Sequence, residues 1–272
     1  MTKKDTSLEV KKIGGIELPD FMKDEEILGT DALAEFVVPP RIKVVQKNSE
    51  DELLAYFKPG TVILTPANSV IAEYAKDDAE TSSFNFVPLY FYVEWATQNP
   101  IALKGQEPMF RYRTTDPSDP IVAKARNKDL REEIIPGTDY KMRHVEIMNY
   151  IVMLVDHELE GTPASLSFSK GEWFAGSKFA GLIKMRKAPL FGCAFTANIC
   201  VHKNNNGQSW FGIDISNPSN RTPFVEKEQY GLFKSLHLEF EDHHKNSRLK
   251  TDLSDDTKND DPAETSAVSD EF

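Results

Sequence analysis

The chain is poor in cysteine and has no long apolar run. Only Cys193 and Cys200 occur among its 272 residues, too few for a disulfide framework. Their odd spacing within one extended segment sends them to opposite strand faces, as expected of small, reduced core residues. No stretch approaches the roughly 18 consecutive apolar residues of a membrane span, and the opening Met-Thr-Lys-Lys-Asp leads into polar sequence. The expectation is a soluble, non-secreted, cytoplasmic protein with no membrane partner. Basic charge is also scarce: 32 Lys and Arg stand against 43 Asp and Glu, a net charge of −11. Taken as a sum, that disfavours a polyanionic ligand.

Enzyme signatures are missing as well. There is no G-x-x-x-x-G-K-[ST] loop, no G-x-S-x-G elbow and no H-E-x-x-H helix. Of the six histidines, only those in Asp156-His157-Glu158 and Glu241-Asp242-His243-His244 cluster with acids. The first cluster with Asp214 could in principle hold Mg²⁺ for a nuclease, but a charged strand end explains it more simply. Cys200 and His202 share a strand face, yet two ligands without a second pair make a poor zinc site. No catalytic residue, metal or cofactor is expected.

What the chain does have is an uneven charge distribution. Thr251 to Phe272 holds eight acids and one base, Lys258, so this segment carries −7 of the −11 and residues 1 to 250 carry −4. Between Ser165 and Ile213 the sign reverses. There Lys170, Lys178, Lys184, Arg186, Lys187 and Lys203 accompany a single acid, Glu172, interleaved with Phe168, Trp173, Phe174, Phe179, Phe191, Phe195, Trp210 and Phe211. Cations that track phosphates beside rings that stack on bases are the ingredients of a single-stranded nucleic-acid groove, although part of these rings belongs to any core.

Residues 1 to 35 are polar and without sustained period, an expected flexible arm. Pro39-Pro40 introduces the extended Arg41 to Gln46, and Pro59-Gly60 turns into a β-branched strand, Thr61 to Thr65. Phe84 to Trp95 reads as a strand with Val87, Leu89, Phe91 and Val93 on one parity and Phe86, Tyr90 and Tyr92 on the other. Five prolines punctuate 96 to 140, an expected excursion from the sheet with a short helix near Ile121 to Ile134. Within it, Arg111-Tyr112-Arg113 places two arginines on one side of an extended segment beside an aromatic. His144 to Glu158 is apolar on both parities, as a central strand should be. A strand at Ala164 to Ser169, a helix at Trp173 to Lys187 ended by Ala188-Pro189, and two strands joined by Asn204-Asn205-Asn206-Gly207 follow. A final helix is expected over Pro223 to Phe240.

The order strand, strand, strand, helix, strand, strand predicts a mainly β fold with minor α. It is that of a five-stranded Greek-key barrel of the oligonucleotide-binding type, with a helix between strands 3 and 4. A β-sandwich with a crossing helix would give the same string. The domain would span 36 to 242, with the insertion at 96 to 140 and an acidic tail at 243 to 272.

The tail ends Ser269-Asp270-Glu271-Phe272. With the proline-led Pro39 to Gln46 and the segment Ser167 to Ile215, this resembles the single-stranded DNA-binding proteins of bacteriophages and bacteria, whose acidic tails end in Phe and recruit replication and repair enzymes. The proline-rich insertion departs from that pattern, as does Asp-Glu-Phe where bacterial members have an acid-Pro-Phe tip. The resemblance implies a non-enzymatic protein that coats single-stranded DNA during phage replication, recombination or repair, working in the host cytoplasm and allowing a homo-oligomer. Tyr90, Tyr92, Trp173 and Trp210 are the expected stacking rings, with Tyr112 beside Arg111 and Arg113. Those arginines and Lys170, Lys178, Lys184, Arg186, Lys187 and Lys203 are the expected phosphate contacts. Asp270, Glu271 and Phe272 would bind partner enzymes. A virion or scaffold protein using the same aromatics for subunit contacts, and the metal-dependent nuclease above, are the alternatives.

Overall fold

The computed structural model describes residues 38–249 except 50, 79–80, 104–105, 204–206 and 247. The expected N-terminal arm and the acidic tail, with Asp270, Glu271 and Phe272, lie outside the described residues. In chain order the elements are β1 (Arg41–Val44), α1 (Asp51–Tyr56), β2 (Thr61–Thr65), β3 (Ser69–Glu73), β4 (Ser83–Gln98), β5 (Phe110–Thr114) and α2 (Pro120–Arg126). Then come β6 (Glu132–Ile134), β7 (Lys141–Val155), β8 (Pro163–Ser169), α3 (Trp173–Arg186), β9 (Phe195–Lys203), β10 (Ser209–Ser216) and α4 (Lys227–Lys245). The protein is mainly β. Along the sheet the strands run β10-β9-β4-β7-β8-β1-β2-β3, with β5 pairing β4 and β6 pairing β7.

Five strands were expected and ten are present among the described residues. The expected five are β4, β7, β8, β9 and β10, which are contiguous in the sheet. The meander β1-β2-β3 extends it through a parallel bridge of Arg41 to Ser165 and antiparallel pairing of β1 with β2. The segment 96 to 140 is likewise no simple excursion, because β5 and β6 add to the strands that flank it. Its helix is confined to Pro120–Arg126. Asp119 caps it by accepting from the Ile121 N–H at 2.9 Å, Pro120 opens it, and Asn127 ends it.

The chain divides into two compact units, residues 38–92 with 148–249 and residues 93–147. The core of the larger unit is aromatic. Phe179 of α3 is fully buried and meets Phe86, Phe195 and Tyr150 with ring centroids 5.6, 5.0 and 4.6 Å away. Burying one such ring contributes about 1.5–3 kcal/mol, with offset and edge contacts adding to it. Gly176, one turn earlier, lets α3 approach, since a Cβ there would fall 2.7 Å from that of Phe168. α3 ends at Lys187, which adopts the left-handed conformation with φ 49° just before Ala188-Pro189.

The two faces of β4 do not alternate as expected. Phe84 and Phe86 join the aromatic core, while Val87 and Leu89 join a second cluster with Ile151, Met153, Phe233 and Phe240. Tyr90 and Tyr92 then stay on that second side, and Phe91 turns to Tyr150, 4.8 Å between ring centroids. The period of two therefore slips by one between Leu89 and Tyr90, as at a bulge, next to Pro88. The second cluster is where α4 lies, its Phe233 and Phe240 against the outer side of β4 and β7.

β10 ends the sheet path, and side chains occupy the edge it turns away from β9. The Gln46 carboxamide accepts from the Phe211 N–H at 3.0 Å and donates to the Phe211 carbonyl at 2.7 Å. The Ile213 N–H donates to Glu172 at 3.2 Å. Phe211 also packs on Tyr74, which follows β3, and closes on Gly60, whose φ of 95° and lack of a Cβ permit the approach. In the smaller unit, Trp95 packs on Ile121, Val122 and Ala125 of α2, and Ala96 on Val145 and Ile147.

Candidate nucleic-acid interface

In the larger unit the expected stacking tyrosines are covered by the protein itself. Tyr92 is 4% exposed. The Tyr90 hydroxyl pairs with His244 Nδ1 of α4 at 3.0 Å, and both tyrosines lie against the His244 ring. Desolvation raises the Tyr90 pKa, with the Glu241 charge adding to it, and desolvation lowers that of His244. Tyr92 is thus closed beneath α4, while Tyr90 is half-buried beside it.

Trp210 is also engaged. Its ring stacks on His202 at 5.7 Å and 14°, its Nε1 donates to Glu172 Oε1 at 2.5 Å, and it packs close to Gly171. Arg186 turns inward: it donates to the Pro223 carbonyl and to Asn217 Oδ1, each at 2.7 Å, and its guanidinium lies over Phe195 at 4.8 Å. Trp210 and Arg186 are thus both half-buried and engaged with protein partners in this arrangement.

The remaining expected cations are different. Lys178, Lys184, Lys187 and Lys203 are exposed, and none is held in an ion pair among the described residues. Lys170 is exposed in the turn before α3 with φ 49°. On α3, Phe174, Lys178, Gly181 and Met185 follow one another at helical spacing on the outward face. Phe174 is 72% and Met185 77% exposed, with Trp173 beside them at 39%. The acid of this region, Glu172, is turned to Trp210 and β10. The result is a cationic helix face with an apolar, aromatic stripe. Phe174 and Met185 were not among the expected contacts. The signal for them was their spacing of four and seven residues from Lys178, and the five residues from Phe174 to Phe179 put Phe174 opposite that buried ring.

In the smaller unit, Arg111 and Arg113 have protein partners. Arg113 makes a bidentate pair with Glu94, Nε at 2.6 Å from Oε1 and the second nitrogen at 2.7 Å from Oε2, and covers Phe110. Arg111 donates to Asn99 and pairs with Glu107. Tyr112 is exposed and its hydroxyl donates to Asp119, the bond that chiefly raises its pKa. A fork-to-carboxylate pair leaves an arginine little capacity for phosphate.

The outer face of the β9-β10 hairpin carries a donor group that the sequence reading set aside. His202 stands opposite Trp210, Cys200 opposite Gly212, and Asp214 opposite Asn198. Donor atoms of Cys200, His202 and Asp214 lie within 4.8 Å of one another. Counting register out from the Asn/Gly turn would have placed all three on one face. As a nucleophile Cys200 is unsuited: burial and then the charges of Asp214 and Glu172 push its thiol up to about 12. The nuclease set does not assemble, because Asp156 pairs with Arg221 at 2.7 Å and His157 bonds the Ile71 carbonyl, while Asp214 sits with Cys200. No helix among the described residues is long and apolar enough to cross a membrane.

Neither a curated protein nor a solved structure matches the chain. A family model does, that of the Pam3 phage gp34-like proteins, over residues 9–246. The match takes in every described strand and helix, and the chain belongs to the Pam3 phage gp34-like protein family.

Proposed function

We propose that the protein binds single-stranded DNA without base specificity, on an oligonucleotide-binding type of barrel whose last strand is joined to the first meander through side chains. The observation that carries this reading is the outward face of α3, where Lys178, Lys184 and Lys187 flank exposed Phe174 and Met185 with no exposed acid between them. The strand order β10-β9-β4-β7-β8, with α3 between β8 and β9, supports it, since it follows the 5-4-1-2-3 neighbour order of such barrels. Membership of a phage protein family is consistent with a role in phage DNA replication, recombination or repair. Affinity would come from counterion release at the lysines and from stacking at Trp173 and Phe174, roughly 1–3 kcal/mol per stacked base. Recruitment of partner enzymes would fall to the acidic segment that ends in Phe272.

The test is anisotropy of labelled single- and double-stranded oligonucleotides at several salt concentrations. Single strands should bind more tightly, and the triple change Lys178→Ala, Lys184→Ala, Lys187→Ala should reduce the log-log salt slope by about 2, at about 0.7 per phosphate contact. Equal binding to both forms, or a slope untouched by the triple change, refutes the proposal.

A further inference from the structure

We infer that Cys200, His202 and Asp214 form a zinc site on the outer face of the β9-β10 hairpin, with Glu172 beside its fourth position. Cys200 and His202 stand two residues apart on one face of β9, Asp214 lies diagonally across from Cys200 on β10, and their donor atoms lie within 4.8 Å of one another. Cys200 Sγ is 3.0 Å from His202 Nε2, and His202 Nε2 is 3.8 Å from Glu172 Oε2. A tetrahedral zinc with Zn–S near 2.3 Å and Zn–N or Zn–O near 2.0–2.2 Å needs donors about 3.3–3.6 Å apart. The Cys200–His202 and His202–Glu172 spacings therefore require adjustments of up to about half an ångström, within the reach of side-chain rotation.

Three features besides proximity favour a cation here. The first is space: opposite Cys200 stands Gly212, and a Cβ at that position would fall 2.5 Å from both a Glu172 oxygen and His202 Cδ2. Any other residue would fill the place among the donors. The second is pre-orientation. The His202 ring is held by stacking on Trp210, whose Nε1 in turn fixes Glu172, so a ligand is positioned by a neighbour that does not itself ligate. The third is charge and softness. One thiolate and one carboxylate neutralise a divalent ion, and a sulfur–nitrogen–oxygen set suits zinc in preference to the oxygen-seeking Mg²⁺ or Ca²⁺. Bound there, the ion would link the two strands of the hairpin beside the turn that launches α3, independently of any nucleic acid.

The experiment uses the full chain, stripped with a chelator and titrated with Co²⁺ as the spectroscopic probe. One equivalent should give a thiolate-to-cobalt charge-transfer band with the intense visible bands of tetrahedral cobalt, and stoichiometric Zn²⁺ should bleach both. Cys200→Ser should abolish the charge-transfer band. Asp214→Asn and His202→Gln should weaken Zn²⁺ binding on the order of 100-fold, because each removes one of three protein donors. Cys193→Ser should keep the band, since Cys193 is buried in the aromatic core away from this face. A wild-type chain that shows no charge-transfer band at micromolar Co²⁺, or a band that survives Cys200→Ser, overturns the assignment. The wild-type spectrum decides by itself, so a variant that fails to fold does not rescue the idea.

Discussion

Replacing Arg186 with alanine separates a fold-building cation from a ligand-binding one. Its guanidinium makes two 2.7 Å hydrogen bonds, to the Pro223 carbonyl and Asn217 Oδ1, and a longer one of 3.5 Å to the Ala194 carbonyl. It also covers Phe195 at 4.8 Å and Phe224 at 5.6 Å. A hydrogen bond to a charged group is worth about 1.5–3 kcal/mol, and a cation over a ring about 0.5–1 kcal/mol at a partly exposed site. These do not add in full, because one side chain serves all of them, and a loss of about 3 kcal/mol is expected. With a urea slope of about 2–3 kcal/mol/M, the unfolding midpoint should fall by about 1–1.5 M. Arg186→Lys should recover less than half, since an ammonium cannot bridge two acceptors and stack at once. In the same preparations the salt slope of DNA binding should stay within 0.3 or so of wild type, below the ~0.7 of one lost phosphate contact. A midpoint unchanged within about 0.3 M, together with a slope reduced by about 0.7, would refute the structural role.

Three further outcomes follow from the geometry. Gly176→Ala should destabilise the fold by about 1–3 kcal/mol in urea unfolding, because its Cβ would press on Phe168 and Met148 at 2.7 and 2.8 Å; a neutral result would mean that α3 shifts freely. Arg113→Ala should lower thermal stability and leave DNA affinity unchanged, because the change removes the bidentate partner of the buried Glu94 carboxylate; a lowered salt slope would contradict this. The folded pKa of His244 lies below its unfolded value of 6.5. The unfolded chain then binds more protons, and the stability associated with this group is complete above about 6.5 and declines as pH falls through that value toward the folded pKa. Melting temperature should accordingly drop between pH 8 and pH 5, and His244→Gln, which keeps a partner for Tyr90, should flatten the drop.

Much of the fold is legible in the residues. The apolar run at His144 to Val155, the two strands expected on either side of the Asn/Gly segment and the helix closed by Ala188-Pro189 correspond to β7, to β9 and β10, and to α3. What escapes the sequence is local and physical. Alternation cannot foresee the slip between Leu89 and Tyr90, which depends on where the ladder yields near Pro88. β3, with Ser69, Ala72 and Glu73 among its five residues, shows no strong period of its own and exists through its pairing with β2. The site is less legible than the fold for a related reason. An arginine beside an aromatic looks the same whether its fork meets a phosphate or Glu94, and a tyrosine looks the same whether open or under α4. The exposed lysines of α3 were readable because a helix face follows from spacing alone.

The side chains on the free edge of β10 bear on how copies of this chain can meet. An open strand edge invites β-augmentation, the addition of a strand from another molecule. Here the Gln46 carboxamide already satisfies both backbone groups of Phe211, and Glu172 the N–H of Ile213. At the middle of β10 a foreign strand would have to displace an amide and a carboxylate to pair with Phe211 and the Ile213 N–H. Self-association through a continuous intermolecular sheet is thereby disfavoured at the middle of this edge.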